Sequence, residues 1–213
     1  MFWDFVAGIY DIFAKRYNSE VHENLGFYLM DRIEERDIVL ECACGTGIFS
    51  RAIATKCNFL VATDISKNML KVARRNCYDF SNIHFEKSDI NQLRYKEESF
   101  DKVVAANVIH LLEEPYRALE ELYRVCRTGG SIIIPTYISK GRKGKDNLFV
   151  RIIGKLGANF QKQFSYREYK AFFRKAGFSN IEYCIIWGRV PCAVAVIKKE
   201  ETGAVNRYLH KNE

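Results

Sequence analysis

The feature of this 213-residue chain that most limits its fold is an alternation of apolar segments of strand length with segments of helical spacing. Consecutive parallel strands need a crossover connection, which a helix normally supplies. The pattern therefore predicts an α/β fold with a doubly wound parallel sheet and helices on both faces. The strand segments are 37–42, 58–64, 83–89, 100–108 and 131–137, and the helical segments between them are 46–57, 66–77 and 113–126.

Capping residues mark where these helices begin and end. Ser66 is suited to the N-cap of the second helix, and Pro115 is suited to the first turn of the third. Gly129 and Gly130 are expected to end that third helix, because glycine readily adopts the conformation that closes a helix.

The carboxyl-terminal part has a different pattern. Residues 166–178 predict a helix closed by Gly177. Residues 181–188 and 190–199 then read as two neighbouring strands with a tight turn near Gly188. Strands joined by so short a connection run antiparallel, so we expect an antiparallel edge on the sheet.

The amino-terminal residues predict two further helices, over 3–17 and 19–35. The first 18 residues are apolar, but they contain Asp4 and Asp11 and lack a basic leader. A membrane span needs a longer apolar run and an export signal needs a basic start, so we expect a cytoplasmic protein. The seven cysteines are an odd number without a CxxC pair, which favours reduced thiols in the core.

The net charge of +7 is concentrated in one part of the chain. Residues 137–175 contain eleven Lys or Arg against two acidic residues, which gives that segment +9 and leaves about −2 elsewhere. A local excess of this size can attract nucleic acid, an anionic membrane or an acidic substrate. A solvated basic face is the simpler alternative.

A glycine-rich turn follows the first strand segment in the stretch VLECACGTGIFS, residues 39–50. Such a turn at the start of a doubly wound sheet is typical of a nucleotide site, because small residues let the ligand approach the backbone. Glu41 would repel a pyrophosphate here, and Ser50 occupies the third glycine position of a dinucleotide motif. A ligand that carries a cationic amino group beside the turn fits Glu41 better.

Two more acidic residues stand at the ends of the next two strand segments. Asp64 can accept hydrogen bonds from both hydroxyls of a ribose, and Asp89 can accept from the amino group of an adenine. Because the carboxyl ends of parallel strands meet at one edge of the sheet, these side chains and Glu41 describe a pocket for adenosine joined to an amino acid. S-adenosyl-L-methionine (SAM) has that composition.

The chain resembles the class I SAM-dependent methyltransferases over about residues 20–136. The motifs that carry the resemblance are VLECACGTGIFS, VATDIS with the following ML, KSDI, FDKVVAANVIHLL and LYRVCRTGGSIIIPTY. Their order and spacing are most similar to the type-11 group, which includes ubiquinone/menaquinone C-methyltransferase-like enzymes. The resemblance implies a Rossmann-like, seven-stranded sheet of order 3-2-1-4-5-7-6 with an antiparallel last strand. It also implies an enzyme that converts SAM to S-adenosyl-L-homocysteine (SAH).

The resemblance assigns cofactor contacts to the residues that match each motif. By position these are Glu41, Gly45 and Gly47 for the methionine part, Asp64 for the ribose, Asp89 and Ile90 for the adenine, Ile65 and Met69 against the adenosine, Asn107 at the cofactor end of the fourth loop, and Tyr10 and Tyr17 on a lid. Ala43 departs from the family, whose members often have glycine there. A methyl group is small, so we expect the turn to accept it.

Methyl transfer requires an aligned acceptor and exclusion of water, and a base helps when the acceptor must lose a proton. His110, just past the fourth strand segment, is the candidate base. A packing or capping role is the alternative, because Leu111 and Leu112 follow it.

We expect one methyltransferase domain over residues 1–213, with three accessory segments. Residues 1–35 would form a helical lid, residues 137–165 would cover the substrate, and residues 199–213 would be a disordered tail. Within the cover, residues 147–160 predict a basic amphipathic helix, which would either roof the pocket or lie on an anionic membrane.

Three rival functions remain beside methyl transfer to a small or lipid-like acceptor. A nucleic-acid methyltransferase is disfavoured, because residues 107–110 read NVIH where base-amine enzymes resemble (D/N)-P-P-(Y/F/W). A phospholipid N-methyltransferase would use the basic helix for peripheral membrane contact. A non-catalytic SAM-binding protein is the third rival.

Overall fold

The computed structural model describes residues 16–139 and 164–200, which fold around one seven-stranded sheet. The helices are α1 (Ser19–Met30), α2 (Ile48–Ala54), α3 (Lys67–Asn76), α4 (Pro115–Val125) and α5 (Tyr166–Lys175), with a 3-10 turn at Ile109–Leu111. The strands are β1 (Ile38–Cys42), β2 (Phe59–Asp64), β3 (Ile83–Lys87), β4 (Phe100–Ala105), β5 (Cys126–Tyr137), β6 (Ile181–Ile186) and β7 (Cys192–Lys198).

The strand order β3-β2-β1-β4-β5-β7-β6 confirms the predicted topology. The first five strands pair in parallel, whereas β7 is antiparallel to both β5 and β6. The chain order reverses between β1 and β4. In a doubly wound sheet a ligand crevice opens at such a point, outside the carboxyl ends of the strands.

Alternate residues of the central strands supply the two halves of the core. Leu40 of β1 and Val103 of β4 pack with α4 and α5 on one face. Val39 and Val104 pack with α1, α2 and α3 on the other. Because both faces are covered, strands such as β2 and β7 are largely apolar runs, whereas the edge strand β3 alternates apolar and polar residues.

The predicted start of α3 is confirmed, and the predicted end of α4 is wrong. The Ser66 hydroxyl accepts a hydrogen bond from the Met69 amide at 3.1 Å. Helix α4 ends at Val125, and the chain continues directly into β5, so Gly129 and Gly130 lie inside a strand. Gly130 is required there for another reason, since a Cβ atom would lie 2.6 Å from the Asp101 carbonyl oxygen.

Several expected features lie wholly or partly outside the described residues. These are Tyr10 with most of the helix over 3–17, the basic amphipathic helix over 147–160 with most of the 137–165 cover, and the tail beyond residue 200. Among the helices of residues 16–139 and 164–200, none has the length and hydropathy to cross a membrane.

Helix α1 is fastened to the turn between β6 and β7. The Asn18 side chain donates to the Val190 carbonyl and accepts from the Val190 amide, both at 3.1 Å. Further along the helix, the Arg32 guanidinium donates to Glu182 at 2.7 Å and lies 3.6 Å from the centre of the Tyr28 ring. Asn18 is buried, so it satisfies two backbone groups that water does not reach.

We expect Asn18→Ala to lower the free energy of unfolding by about 2–4 kcal/mol, because it leaves a buried amide and a buried carbonyl without partners. Urea denaturation measures this change. The exposed Asn58 provides the matched control, and Asn58→Ala should change stability by less than about 0.5 kcal/mol. Equal effects of the two substitutions would contradict the anchoring role of Asn18.

Candidate active site

A cavity of about 380 Å³ opens at the carboxyl ends of β1 to β5. It lies where the order of the sheet reverses, as expected for a ligand site in this kind of fold. Five successive strand ends and their loops contribute the walls. The lining residues are Ala43, Cys44, Gly45, Thr46, Ile48, Phe49, Asp64, Ile65, Met69, Ser88, Asp89, Ile90, Asn91, Ala106, Asn107, Val108, His110, Leu111, Leu112, Glu113 and Tyr137.

The glycine-rich turn after β1 forms the floor of this cavity. Ala43, Gly45 and Gly47 all have positive φ angles, of 54°, 57° and 83°. A Cβ atom on Gly45 would meet nothing within 4 Å, whereas one on Gly47 would lie 3.0 Å from the Cys77 sulfur. Gly45 therefore leaves space on the cavity side of the turn, and Gly47 lets the turn pack closely on α3.

Asp64 joins the turn after β1 to the turn after β2. One carboxylate oxygen accepts from the Gly45 amide at 2.9 Å, and the other accepts from the Ser66 amide at 2.8 Å. A carboxylate has roughly four lone-pair positions. Asp64 can therefore hold both loops and still accept hydrogen bonds from a ligand in the cavity.

Glu41 lies beneath the turn and is not among the residues that line the cavity. Its carboxyl group is buried and accepts a hydrogen bond from the Ser50 hydroxyl. Burial raises the pKa of Glu41 to about 8; the nearby Asp64 charge adds to this and the Ser50 hydrogen bond opposes it. Glu41 is therefore largely protonated at neutral pH in the absence of a ligand.

The loops after β2 and β3 form one end of the cavity. Ile65 is exposed at its edge, and Met69 is buried behind it. Asp89 accepts from the Asn91 amide at 2.9 Å and closes a small turn that carries the buried Ile90. This end combines apolar surface with one exposed carboxylate, which suits a flat heterocycle with an amino group.

The loop after β4 forms the opposite wall. Asn107 has a φ angle of 55°, and its amide donates to the Pro135 carbonyl at 2.8 Å, which fixes the loop against β5. The side-chain nitrogen of Asn107 is buried and has no hydrogen-bond partner among the described residues. It is therefore an unused donor in a wall of the cavity.

His110 lies in the 3-10 turn of the same loop and is buried. Burial alone lowers its pKa to about 4. The expectation that His110 titrates near neutrality is therefore wrong, because the ring lies in an apolar environment that disfavours the imidazolium. At neutral pH the ring is uncharged.

The structure brings eight of the twelve predicted site residues to the cavity wall. They are Gly45, Asp64, Ile65, Met69, Asp89, Ile90, Asn107 and His110. Glu41 and Gly47 belong to β1 and the turn after it but do not line the cavity, and Gly47 lines a groove beside α1. Tyr17 does not line the cavity either, and the Arg189 guanidinium lies 5.2 Å from the centre of its ring. Tyr10 is outside the described residues.

Sequence reasoning missed Tyr137, the last residue of β5, which lines the cavity. Its hydroxyl is hydrogen-bonded to the Nε2 atom of His22 on α1. The position of Tyr137 at a strand end was a usable signal, since the predicted ends of the first three strands had already supplied candidates. Nothing in the sequence indicated that His22, 115 residues away, would be its partner.

The cavity carries a negative charge. Asp64, Asp89 and Glu113 line it, and the lining residues within the described chain include no lysine or arginine. Such a wall favours a ligand that carries cationic groups and disfavours one of net negative charge, such as a phosphate. Within residues 16–139 and 164–200, no group of His, Cys, Asp and Glu is arranged to hold a metal ion.

Comparisons with known proteins agree with this geometry. Residues 40–134 match a family described as a methyltransferase domain. A demethylmenaquinone methyltransferase of Clavibacter sepedonicus is 29% identical over 163 residues, which cover 68% of this chain and 66% of the relative. A malonyl-[acyl-carrier protein] O-methyltransferase of Marinomonas sp. is 32% identical over 54% of this chain and 46% of its own length. The chain thus spans less than two thirds of either relative.

A solved structure supports the same fold. A chain from the Haloferax volcanii complex between the Trm112 methyltransferase activator and a methyltransferase superposes with a TM-score of 0.75. The alignment covers 93% of this chain and 98% of that one, at 21% identity. The domain matched over residues 40–134 and the strand order thus agree with the predicted resemblance to the type-11 group of class I SAM-dependent methyltransferases.

Proposed function

We propose that this protein transfers the methyl group of SAM to a small or amphiphilic acceptor and forms SAH. The observation that carries the proposal is the cavity at the strand ends, lined by three carboxylates and by no described lysine or arginine. SAM has a cationic sulfonium and a cationic ammonium, so it fits this charge. Gly45 supports the fit, because it leaves open space where any other residue would place a Cβ atom.

In this proposal, different site residues bind different parts of the ligand. Asp64 accepts hydrogen bonds from the ribose hydroxyls while it holds the amides of Gly45 and Ser66. Asp89 and Ile90 hold the adenine, and Ile65 and Met69 pack against the adenosine. Glu41 and Gly47 act on the methionine part from behind the turn, Glu41 through its charge and Gly47 by setting the backbone.

The sulfonium supplies an activated methyl group, so the protein mainly positions the acceptor and excludes water. Phe49, Val108, Leu111 and Leu112 give the wall near the β4 loop an apolar character. The unused amide donor of Asn107 offers a hydrogen bond beside them. This wall suits a neutral or cationic acceptor with an apolar body better than an anionic one.

We also propose that the accessory segments belong to the same domain and complete the site. The described chain stops at Ser139, two residues after the cavity-lining Tyr137, and resumes at Phe164. The Ser139 amide donates to the Phe164 carbonyl at 2.9 Å, so the two ends of the 137–165 segment are adjacent. The 137–165 segment would then cover the acceptor, and residues 1–35 would form the lid.

Turnover is tested with SAM and a panel of probe acceptors: reduced demethylmenaquinone, a phenol, a primary amine and phosphatidylethanolamine vesicles. We expect SAH and a methylated product with at least one soluble probe. Mass spectrometry identifies the product and the atom methylated. SAH binding without turnover of any probe would support a binding protein, and turnover of the vesicles alone would support a phospholipid methyltransferase.

We expect Asp64→Asn to weaken SAH binding by about 10- to 100-fold, because it replaces a charged acceptor that serves both loops and the ribose. Calorimetric titration measures the dissociation constant. Asp31, which is exposed on the far end of α1, provides the control, and Asp31→Asn should leave the affinity unchanged. Unaltered binding by a folded Asp64→Asn variant would remove the ribose contact from the proposal.

Binding of a ligand whose ammonium lies near Glu41 should draw a proton from the Glu41 carboxyl group. Since its ligand-free pKa is about 8 and a nearby ammonium lowers it, SAH affinity should rise with pH between about pH 6 and pH 8, by up to about tenfold per unit. In Glu41→Gln, which keeps an acceptor for Ser50, this slope should disappear. Equal slopes in the two proteins would show that Glu41 does not sense the ligand.

The same raised pKa predicts the stability of the ligand-free protein. The folded state holds the Glu41 proton up to about pH 8, whereas an unfolded glutamate loses it near pH 4.5. The contribution of Glu41 to the free energy of unfolding is thus complete at acidic pH and decreases as the pH rises through that window. Urea denaturation of the wild type and Glu41→Gln at both ends of the window measures the difference.

A further inference from the structure

A buried hydrogen bond joins the amino-terminal helix to the wall of the cavity. The Nε2 atom of His22, on α1, is paired with the Tyr137 hydroxyl at the end of β5. Both side chains are almost wholly buried, at 7% and 8% exposure. The described chain therefore places a histidine in contact with a tyrosine that lines the candidate site.

The two partners line different cavities. Tyr137 lines the candidate active site, whereas His22 lines a groove of about 670 Å³ between α1 and α2. The groove also contacts Glu23, Phe27 and Arg51. The hydrogen-bonded pair therefore spans the layer of protein that separates the active-site cavity from the groove.

The orientation of the His22 ring is fixed by its neighbours. The Phe49 ring lies edge-on to it, with centroids 5.6 Å apart and an interplanar angle of 79°. Phe49 itself lines the active-site cavity. Since α1 is anchored at Asn18, one turn before His22, the imidazole is held where it can exchange a proton with Tyr137.

Other side chains of the cavity wall are less suited to take a proton from the methyl acceptor. Asp64 is engaged by two amides, Asp89 lies on the loop after β3 at the proposed adenine end, and Glu113 is exposed to solvent. His110 is buried within the cavity wall, and its pKa of about 4 makes it a weak base. A proton taken by Tyr137 can be passed on to solvent, because its partner His22 lines the groove.

We propose that Tyr137 and His22 form a proton relay that serves the methyl acceptor, an inference that rests on the proposed methyl transfer. The acceptor's proton passes to the Tyr137 oxygen as the Tyr137 proton passes to His22 Nε2. The electron pair left on the acceptor forms the bond to the methyl carbon, while the carbon–sulfur bond breaks and its pair stays on sulfur. The imidazolium then releases a proton to water in the groove.

The first test needs no acceptor. In the relay, Tyr137 donates its hydrogen bond, so His22 must carry its proton on Nδ1 and leave Nε2 unprotonated. Nuclear magnetic resonance of ¹⁵N-labelled histidine resolves this among the four histidines of the chain, each assigned by its own glutamine variant. We expect an unprotonated Nε2 at about pH 7.5 whose shift changes in Tyr137→Phe and not in the control Tyr28→Phe. A proton on Nε2 would overturn the relay.

The second test uses SAM and whichever probe acceptor the wild type methylates. General-base catalysis contributes about 100-fold or more, so Tyr137→Phe and His22→Gln should each lower kcat by about that factor. The double variant should be no slower than the slower single variant, since both residues act as one unit. The dissociation constant of SAH should stay within about twofold.

Matched controls separate catalysis from folding. Tyr28→Phe removes a tyrosine hydroxyl from the same helix as His22, and His84→Gln removes an exposed histidine; neither should change kcat. Unchanged kcat in Tyr137→Phe, multiplicative losses in the double variant, or a loss confined to KM would each overturn the relay. Absence of turnover by the wild type would contradict the proposed function. The histidine spectrum would still show whether Nε2 of His22 carries a proton.

Discussion

The Asp64 carboxylate holds together the two loops on which the rest of the site depends. Its oxygens accept from the Gly45 amide and the Ser66 amide, so the turn after β1 cannot move independently of the turn after β2. The first turn contains three residues in the left-handed conformation, one of them Ala43, which lacks the freedom of glycine. A charged acceptor within reach of its backbone offsets part of that conformational cost.

Burial then separates the acidic residues by role. Asp64 and Asp89 reach the cavity, whereas Glu41 remains beneath the glycine turn with Ser50 as its partner. A carboxyl group that is protonated when the site is empty and ionised near an ammonium favours ligands that bring a cationic group to this point. Discrimination against anionic ligands then has two sources, the negative charge of Asp64 and Asp89 in the cavity wall and the titratable carboxyl group of Glu41 beneath the turn.

The sequence predicted the features that depend on local chemistry. Apolar runs predicted the strands, and the Ser66 side chain predicted the start of α3. Acids at strand ends predicted two of the three carboxylates that line the cavity, Asp64 and Asp89, and the strand order came from the family resemblance. The rest depends on packing. The direction of Glu41, the burial of His110 and the contact of His22 with Tyr137 are set by the three-dimensional arrangement, which periodicity does not encode. The end of α4 was misplaced because Gly130 serves the close approach of strands and Gly129 adopts a positive φ angle of 78° within β5.

Helix α1 illustrates why such a long-range contact matters. Nothing in the Rossmann-like sheet requires a helix before β1, yet α1 covers one face of the core and is fastened by Asn18 to the turn that follows β6. The same Asn18 hydrogen bonds fix the position of His22 along α1 relative to the end of β5. A helix that is needed for burial thus also determines which polar group meets Tyr137. Variation in how this helix docks can change the chemistry beside the cavity while the sheet and its cofactor loops stay the same.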